Sequence, residues 1–292
     1  MRPILLSGLL AGTALAAFTT ASAGQLSHNF TGSKLLIDNV VGDVTVNVVP
    51  GATGITVSAT GDDKFTSLVR FQQSGDRAEI VMGDLSYSSS ENLQTLKVTI
   101  TLAPGTDLAV EDHIGDITIG DTRAPVAIEA VAGTISIGSA TSVALETAGS
   151  ADISVAEATA ALSIDTSGSG TVKVGRAGPT SISISGSGDA EIGPVSGSLG
   201  IDLSGSANVT VAEVNGAVAI STSGSSDVYI TAGHASPFAA DTSGSGSIYF
   251  AGTAVNPQIS TSGSGEICLG AAEGTIESDG SITISPTACK RS

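Results

Sequence analysis

The sequence predicts an all-β protein built as a right-handed parallel β-helix, with about 19 residues in each coil and a less regular cap at its N-terminal end. Three observations lead to this fold class. A glycine- and serine-rich phrase recurs at a nearly constant interval, aliphatic residues alternate over short stretches beside it, and the repeats carry no helical apolar pattern. A fixed period of this kind is typical of solenoids, in which each repeat buries its apolar face only against its neighbours.

The repeated phrase runs from turn residues into a strand pattern, as in DTSGSGTVKV at Asp165 and STSGSSDVYI at Ser221. Its first glycine marks the expected corner of a coil. Glycine suits such corners because it tolerates positive φ angles. The successive markers are 17 to 20 residues apart: Gly149, Gly168, Gly186, Gly205, Gly224, Gly244, Gly263 and Gly280.

Alternating aliphatic pairs predict two short strands in each repeat. One pair follows the marker, as in Val172 and Val174, and a second lies half a period away, as in Ile182 and Ile184. Alternation over so few residues is a strand pattern. Coils stacked about 4.8 Å apart allow each strand to hydrogen-bond to the coils above and below. A left-handed β-helix would show a hexapeptide sub-repeat, which is absent, so we expect the right-handed form.

The acidic residues of the repeats fall in two columns, one before and one after the marker glycines. From Asp165 onward, an acid in one column accompanies a neutral residue in the other, and the two alternate from coil to coil. Because like charges on adjacent strands are destabilising, we interpret the alternation as relief of repulsion, with cation sites between coils as the alternative. The expected columns are Glu146, Asp165, Ser183, Asp202, Ser221, Asp241, Ser260 and Glu277 before the marker, and Asp152, Thr171, Asp189, Asn208, Asp227, Ser247, Glu266 and Thr283 after it.

The chain divides into four segments. Residues 1–23 combine a basic start, an apolar run and the small-residue sequence ASA, which together predict a secretory signal peptide. We expect residues 24–110 to form an N-terminal cap and the first strands of the solenoid, and residues 111–285 to form the regular β-helix. Residues 286–292 are expected to be a tail tethered by a disulfide.

One coil phrase appears early, inside the cap segment. NVVGDVTVNV, which begins at Asn39, resembles HIGDITIG at His113, and turn-rich stretches with less regular strands separate the two. We therefore expect the solenoid to start, to be interrupted and to resume, with antiparallel elements at this end. Phe65 and Phe71 are candidates to cover the first coil.

Composition agrees with export and excludes several partners. The chain has 28 acidic residues against 11 lysines and arginines, a formal net charge of −17, and 41% hydrophobic residues. This charge disfavours binding to nucleic acid and to anionic membranes, and the aliphatic content disfavours disorder. No stretch after the signal peptide is apolar enough to span a bilayer. We expect the mature protein to lie in the periplasm, at the cell surface or outside the cell, and to be a monomer.

The two cysteines, Cys268 and Cys289, both lie near the C-terminus. An even pair in an exported protein favours a disulfide. Cys268 stands between Ile267 and Leu269, which alternation directs inward, so Cys268 should point outward, where the tail could reach it. Closing this loop would stabilise the fold by about 3 kcal/mol through the lost entropy of the unfolded chain. It would also help to cover the open end of the solenoid.

Catalytic patterns do not occur in the sequence. There is no Gly-x-Ser-x-Gly, no Gly-x-Gly-x-x-Gly and no Walker sequence, and the three histidines are scattered. Before the final basic pair, the repeats offer only Lys173 and Arg176 as bases, whereas polysaccharide cleavage needs converging carboxylates with a base or metal. We predict no catalytic, cofactor-binding or metal-binding residues. Calcium is an alternative, since SGSGD at Ser185 resembles the loops of calcium-binding β-rolls, although those repeat at about nine residues.

One aromatic pair occupies an outward column. Tyr229 and Tyr249 stand at the same position on successive coils, and we expect their rings to stack. They are a candidate recognition patch, and the alternative is that they fill the edge of the coils.

The opening LLIDNVVGDVTVNVVPG and the recurring phrases SGSGD, SGSGE and SGSGS resemble the bacterial head GIN domain family of autotransporter adhesins. The resemblance covers most of the chain from about Lys34 onward. It implies an exported, right-handed β-helical, non-enzymatic protein, and it brings no catalytic residues to transfer. The expected function is a cell-surface or periplasmic adhesion or interaction module for a protein or glycan of the envelope. A polysaccharide-active β-helix enzyme and a calcium-stabilised structural protein are the alternatives.

Overall fold

Strands account for 74% of the computed structural model, and they wind into a parallel β-solenoid of about nine turns with about 19 residues per coil. The structure describes residues 24–83, residues 96–285 and Cys289. The all-β parallel solenoid predicted from the period of the sequence is therefore confirmed. The predicted signal peptide, and the C-terminal tail apart from Cys289, lie outside the described residues.

The strands and one short helix follow one another along the described chain. The N-terminal part contains β1 (Gln25–Phe30), β2 (Lys34–Asp38), β3 (Asp43–Val48), β4 (Ile55–Thr60), α1 (Asp63–Thr66), β5 (Val69–Ser74), β6 (Arg77–Met82) and β7 (Lys97–Leu102). The middle part contains β8 (Asp107–Ile114), β9 (Ile117–Ile119), β10 (Val126–Gly168), β11 (Thr171–Ala177), β12 (Thr180–Gly186), β13 (Asp189–Ser196) and β14 (Leu199–Gly205). The C-terminal part contains β15 (Asn208–Gly224), β16 (Asp227–Ile230), β17 (Gly233–Gly244), β18 (Ile248–Val255), β19 (Gln258–Gly263), β20 (Ile267–Glu273), β21 (Glu277–Asp279) and β22 (Ile282–Ile284).

Each coil contributes one strand to each of two long outer faces. We call the first face the groove wall; it stacks β2, β8, successive passes of β10, β12, β14, the C-terminal parts of β15 and β17, β19 and β21. We call the second face the tyrosine wall; it stacks β3, β9, further passes of β10, β11, β13, the start of β15, β16, β18, β20 and β22. A shorter segment of each coil links the two walls.

Side chains at equivalent positions stack in inward columns that fill the interior. On the groove wall the register runs through Ile164, Ile182, Ile201, Ile220, Ala240 and Ile259. On the tyrosine wall it runs through Val155, Val174, Ile192, Val211, Ile230, Phe250 and Leu269. No residue of either column is more than 4% exposed. Burying each large side chain stabilises the fold by roughly 1.5–3 kcal/mol, so the repeated aliphatic columns hold the coils together.

The N-terminal end contains the antiparallel elements expected from the sequence. β4 pairs antiparallel with both β1 and β7, and β5 pairs antiparallel with β6. Phe65 on α1 is 6% exposed, while Phe71 is half-buried and packs against His28 and Phe30. Phe65 is part of the hydrophobic core, and Phe71 packs against that core.

β2 and β3 form the first coil, which lies between the antiparallel strands and the rest of the solenoid. β2 pairs with β6 on one side and with β8 on the other, and β3 pairs in the same way with β7 and β9. The phrase at Asn39 therefore stacks directly on the phrase at His113. The interruption predicted from the sequence is an insertion between two adjacent coils.

Candidate functional site

The marker glycines stand in single file at the corner between the two walls. The strand register aligns Gly168 with Gly186, Gly205, Gly224, Gly244 and Gly263, and the carbonyl oxygen of Gly149 accepts a hydrogen bond from the backbone of Ser169. Gly205 has a φ of +123°, and a Cβ there would clash with the carbonyl oxygen of Gly186. Gly168 is outside the left-handed region, and only the close approach of the Gly149 backbone requires glycine there.

The last marker, Gly280, does not join this file. It lies against Thr261, because the register pairs Ser260 with Asp279. In the last coil the corner after this position is Gly280 and Ser281, whereas the preceding coil uses residues 261–266. The corner is shorter in the last coil, so an alignment on glycines shifts its residues out of register.

This shift corrects two members of the expected acidic columns. Glu277 pairs with Gln258 and is outside the column, and Asp279 takes its place. Thr283 pairs with Cys268 rather than with Glu266. With Asp279 included, the alternation of acidic and neutral residues on the groove wall extends to the last coil.

Four aspartates at the start of the tyrosine wall tie neighbouring coils together. Each carboxylate accepts the backbone N–H at the same position on the next coil, at distances of 2.8–3.1 Å: Asp116 from Thr134, Asp152 from Thr171, Asp189 from Asn208 and Asp227 from Ser247. The partner residues are neutral, so each aspartate meets a donor rather than a second charge. Alternation on this wall thus follows from charge-assisted hydrogen bonding as well as from repulsion.

Asp152 shows the electrostatic result of this contact. Its Oδ1 atom accepts the Thr171 hydroxyl at 2.7 Å and the Thr171 backbone N–H at 3.1 Å. The two hydrogen bonds, the one from the hydroxyl first, lower the pKa of Asp152 below its ordinary value because they stabilise the ionised carboxylate. The bridge between the coils is therefore strongest when this carboxylate is charged.

The acidic column of the groove wall has a different character. The register aligns Asp165, Ser183, Asp202, Ser221, Asp241, Ser260 and Asp279 on successive coils. Among the described residues, no side-chain carboxylate of these aspartates forms a hydrogen bond or an ion pair. The carboxylates of this column do not bridge the coils, whereas Glu277, elsewhere on the wall, accepts a hydrogen bond from Gln258 Nε2 at 3.3 Å.

On the N-terminal half of the groove wall the alternation stops. Glu111, Glu129 and Glu146 precede Asp165 on successive coils, and the four exposed carboxylates line a trough of about 340 Å³. We call these four residues the acidic row. No contact within the described part of the chain gives them a hydrogen-bonding or cationic partner.

Glu146 and Asp165 belong to the column predicted from the marker glycines, whereas Glu111 and Glu129 precede the first marker and were not predicted. A signal was present in the strands themselves. Four tetrapeptides end in an acid after an inward aliphatic residue: LAVE at Leu108, VAIE at Val126, VALE at Val143 and LSID at Leu162. Their regular spacing places the acids on one face of one wall.

A second cavity runs beside the acidic row. It has a volume of about 680 Å³, its lining is mainly apolar, and its floor includes Leu36, Ala109, Ala127 and Ala144. We call it the apolar groove. Ala109, Ala127, Ala144 and Ser163 also line the trough of the acidic row, so one low ridge of small side chains separates the two cavities.

Toward the C-terminal end the groove wall carries a further depression of about 1000 Å³. Its outward floor consists of small residues, including Gly200, Ala219 and Ala239, and its lining includes Asp202 and Asp241. The wall is therefore concave along most of its length, with apolar and acidic strips side by side.

Tyr229 and Tyr249 stack on the tyrosine wall. Their ring centroids are 5.0 Å apart, their planes differ by 5°, and both side chains are half-buried. Each ring therefore covers one face of the other. A recognition role for this pair stays a prediction.

The predicted disulfide between Cys268 and Cys289 is confirmed. The two Cα atoms are 5.4 Å apart, and the bond closes a sequence separation of 21 residues. Cys268 is 1% exposed and Cys289 is 2% exposed. Cys268 is buried although it stands on the outer face, and Cys289 is held against it by the disulfide.

The basic residues considered for catalysis are exposed and pair with acids on neighbouring coils, and Lys173 and Glu191 line two open depressions of about 630 and 470 Å³ on the tyrosine wall. Lys173 Nζ is 3.8 Å from Glu191 Oε2, and Arg176 lies 3.9 Å from Glu157. Among the described residues, no three or more His, Cys, Asp or Glu side chains are arranged to hold a metal ion. No helix in this part of the chain has the length and apolar character needed to cross a membrane.

His113 is buried at the corner that follows the groove wall. Its side chain is 0% exposed, and neither ring nitrogen has a hydrogen-bond partner. Burial lowers its pKa to about 4, while the nearby backbone of Gly115 and, to a smaller extent, the charge of Asp116 and the backbone of Val40 act in the opposite direction. The imidazole is therefore neutral at pH 7, and its position inside the core indicates a packing role.

The family comparison matches most of the chain. The family described as "Putative auto-transporter adhesin, head GIN domain" matches residues 37–214 and 200–284. No curated protein matches the chain significantly.

Several solved structures resemble the fold at low sequence identity. A putative lipid binding protein from Parabacteroides distasonis has a TM-score of 0.48 and 16% identity, with 86% of this chain and 97% of that chain covered. A putative adhesin from the same species has a TM-score of 0.47 and 15% identity, with 87% and 96% covered. A putative adhesin from Bacteroides fragilis has a TM-score of 0.46 and 14% identity, with 86% and 98% covered.

Proposed function

Because the chain belongs to the head GIN domain family, we propose that it is an exported, non-enzymatic interaction module that binds a macromolecule of the cell envelope through its groove wall. The family description as an adhesin supports binding as the function. The predicted signal peptide at residues 1–23 and the disulfide support export to the periplasm, the cell surface or the medium.

The continuous concavity of the groove wall carries this proposal. The apolar groove and the C-terminal depression follow one another along the stacked strands, with volumes of about 680 and 1000 Å³. Apolar concave surfaces with a few polar groups are typical of binding sites. A wall of small outward side chains offers a long contact surface with little loss of side-chain entropy on binding.

The chemistry of the described residues supports binding over catalysis. Titratable groups with strongly shifted pKa values are typical of active sites. Among the described residues, the largest such shift belongs to His113, whose side chain is fully buried in the core. Lys173 and Arg176 instead form exposed pairs with neighbouring acids.

The proposal is tested by measuring saturable binding of the labelled, purified protein to intact bacterial cells and to isolated envelope fractions. A matched variant fills the floor of the apolar groove by Ala127→Gln and Ala144→Gln, and a control variant changes the opposite wall by Thr210→Gln. We expect saturable binding that the groove variant weakens and the control variant retains. Absence of saturable binding to every fraction, or polysaccharide cleavage by the protein, would overturn the proposal.

A further inference from the structure

We propose that the acidic row and the apolar groove together bind an extended, basic polypeptide segment of a partner protein. This inference rests on the proposed function, because it names the class of partner for the same wall. It depends on three features of the structure: uncompensated charge, an apolar strip parallel to that charge, and a straight ridge between them.

The first feature is the charge. Glu111, Glu129, Glu146 and Asp165 stand on successive coils, separated by about one strand spacing of 4.8 Å. Like charges at adjacent positions of a sheet are destabilising, and from Asp165 to Asp279 the same column avoids them by alternating acidic and neutral residues. Among the described residues, no basic side chain forms an ion pair with this row. A cationic partner would supply the missing counter-charge.

The acidic residues of the tyrosine wall that stabilise the fold can be compared with those of the acidic row. On the tyrosine wall, Asp116, Asp152, Asp189 and Asp227 each accept a backbone N–H from the next coil. The carboxylates of the acidic row have no such contact and point into an open trough. The difference in hydrogen bonding indicates that the acidic row binds a partner molecule rather than stabilising the fold.

The second feature is the apolar strip. The apolar groove offers the methyl groups of Ala109, Ala127 and Ala144. These groups cannot hydrogen-bond to sugar hydroxyls, and the adjacent carboxylates repel phosphate and anionic lipid headgroups. An occupant with both cationic and apolar side chains fits the two strips, and a polypeptide has both.

The third feature is the geometry of the ridge. Ala109, Ala127, Ala144 and Ser163 line both cavities and form a straight line along the stacked coils. In an extended peptide, successive side chains point to opposite sides. A peptide lying on this ridge would therefore place alternate side chains in the apolar groove and the intervening lysines or arginines over the acidic row.

The cap end of the groove limits how far the peptide extends. Lys34 and Arg77 line that end and would repel a basic side chain. The segment bound most strongly therefore lies from Glu111 toward Asp165.

The test uses a blocked, fluorescent peptide of alternating lysine and valine, long enough to span the acidic row. Its binding to the full mature protein is measured by anisotropy at low and physiological salt. Two further probes are an oligolysine of the same length and a peptide with glutamate in place of lysine. The test variant is Glu129→Gln with Glu146→Gln. The control, Glu266→Gln with Glu273→Gln, removes the same charge from exposed carboxylates outside the groove wall.

We expect the lysine–valine peptide to bind about tenfold more weakly to the test variant, because two close ion pairs are lost, and less than about twofold more weakly to the control. Ala127→Gln with Ala144→Gln should weaken binding of the lysine–valine peptide more than binding of oligolysine. The glutamate peptide should not bind. Equal losses in the test and control variants, or preference for oligolysine, would contradict the proposal and indicate only attraction to an acidic protein.

The melting temperature is a second measurement, which distinguishes loss of the binding site from loss of the folded structure. Because Glu129→Gln with Glu146→Gln removes repulsion without breaking a hydrogen bond, its melting temperature should equal or exceed that of the parent protein. A lower melting temperature would show that these carboxylates serve the fold and would overturn the proposal. If envelope binding persists in this variant while the peptide never binds, the inference fails and the proposed function stands.

Discussion

At the scale of single residues, the same aspartate side chain does two different things on the two walls of this solenoid. On the tyrosine wall, Asp189 Oδ1 accepts the backbone N–H of Asn208 at 3.1 Å and its side-chain amide at 3.0 Å. On the groove wall, Asp202 pairs in register with Ser183 and Ser221 and makes no such contact in the described structure. Position in the coil, not residue type, decides whether the charge supports the fold.

This difference predicts unequal effects of the same substitution. Asp189→Ala should lower the free energy of unfolding by about 1 kcal/mol, since it leaves a backbone donor of Asn208 without its charged acceptor. Asp202→Ala should change it by less than about 0.5 kcal/mol in either direction. Chemical denaturation of the two variants at neutral pH measures both values, and equal destabilisation would contradict the assigned roles.

His113 predicts a pH dependence of stability. Its pKa is about 4 in the folded protein, compared with the ordinary value of 6.5. Because the folded-state pKa is depressed, the full stability is present above pH 6.5 and is lost as the pH falls toward 4. The loss should be on the order of 3 kcal/mol.

The measurement compares denaturation at pH 7.5 and pH 4.5 for the parent protein, for His113→Leu and for the exposed-site control His234→Gln. We expect the difference between the two pH values to shrink in His113→Leu and to persist in His234→Gln. An unchanged pH dependence in His113→Leu would show that other groups cause it.

At the scale of the coil, the corner glycine Gly205 has no room for a Cβ atom, whereas Gly200, in a wall strand, does. Gly205 combines a φ of +123° with close contact to the Gly186 carbonyl, whereas a Cβ on Gly200, in the same coil, would meet no atom nearer than 4.0 Å. The corners set how closely the coils approach, and the wall strands tolerate side chains that point outward.

Gly205→Ala should therefore destabilise the protein by about 2 kcal/mol or more, through backbone strain and the clash with the neighbouring coil. Gly200→Ala should be neutral to within about 0.5 kcal/mol. Thermal unfolding of both variants gives the comparison. A similar loss at Gly200 would mean that the two positions are not distinguished by corner geometry.

The strand pattern and the period were readable from the sequence because inward residues such as Ile182 and Val174 repeat with the coil. The register of the last coil was not readable, since a shortened corner at Gly280 moved Asp279 into the position assigned to Glu277. The use of Asp152 as an acceptor was also beyond the sequence, because it depends on how the corner aims the carboxylate at the next backbone N–H.

At the scale of the whole molecule, acidic residues with a structural role and acidic residues exposed for binding lie on different walls of the solenoid. The acids of the tyrosine wall bridge the coils, and the acidic row of the groove wall is left open along a concave surface. The cap end of the apolar groove could not be read from individual repeats, because it forms where β2 and β8, which are far apart in the sequence, stack as neighbours across an insertion.

The most direct test of coil-by-coil stacking is the thermal unfolding of two deletion variants. Removing residues 206–224 deletes one coil and places Asp189 next to Asp227 and Asp202 next to Asp241, whereas removing residues 187–224 deletes two coils and restores alternation. Both proteins should keep a β-sheet circular dichroism spectrum, and the two-coil deletion should melt at the higher temperature although it lacks more of the core. Loss of the folded state in both variants, or a higher melting temperature for the one-coil deletion, would contradict the account.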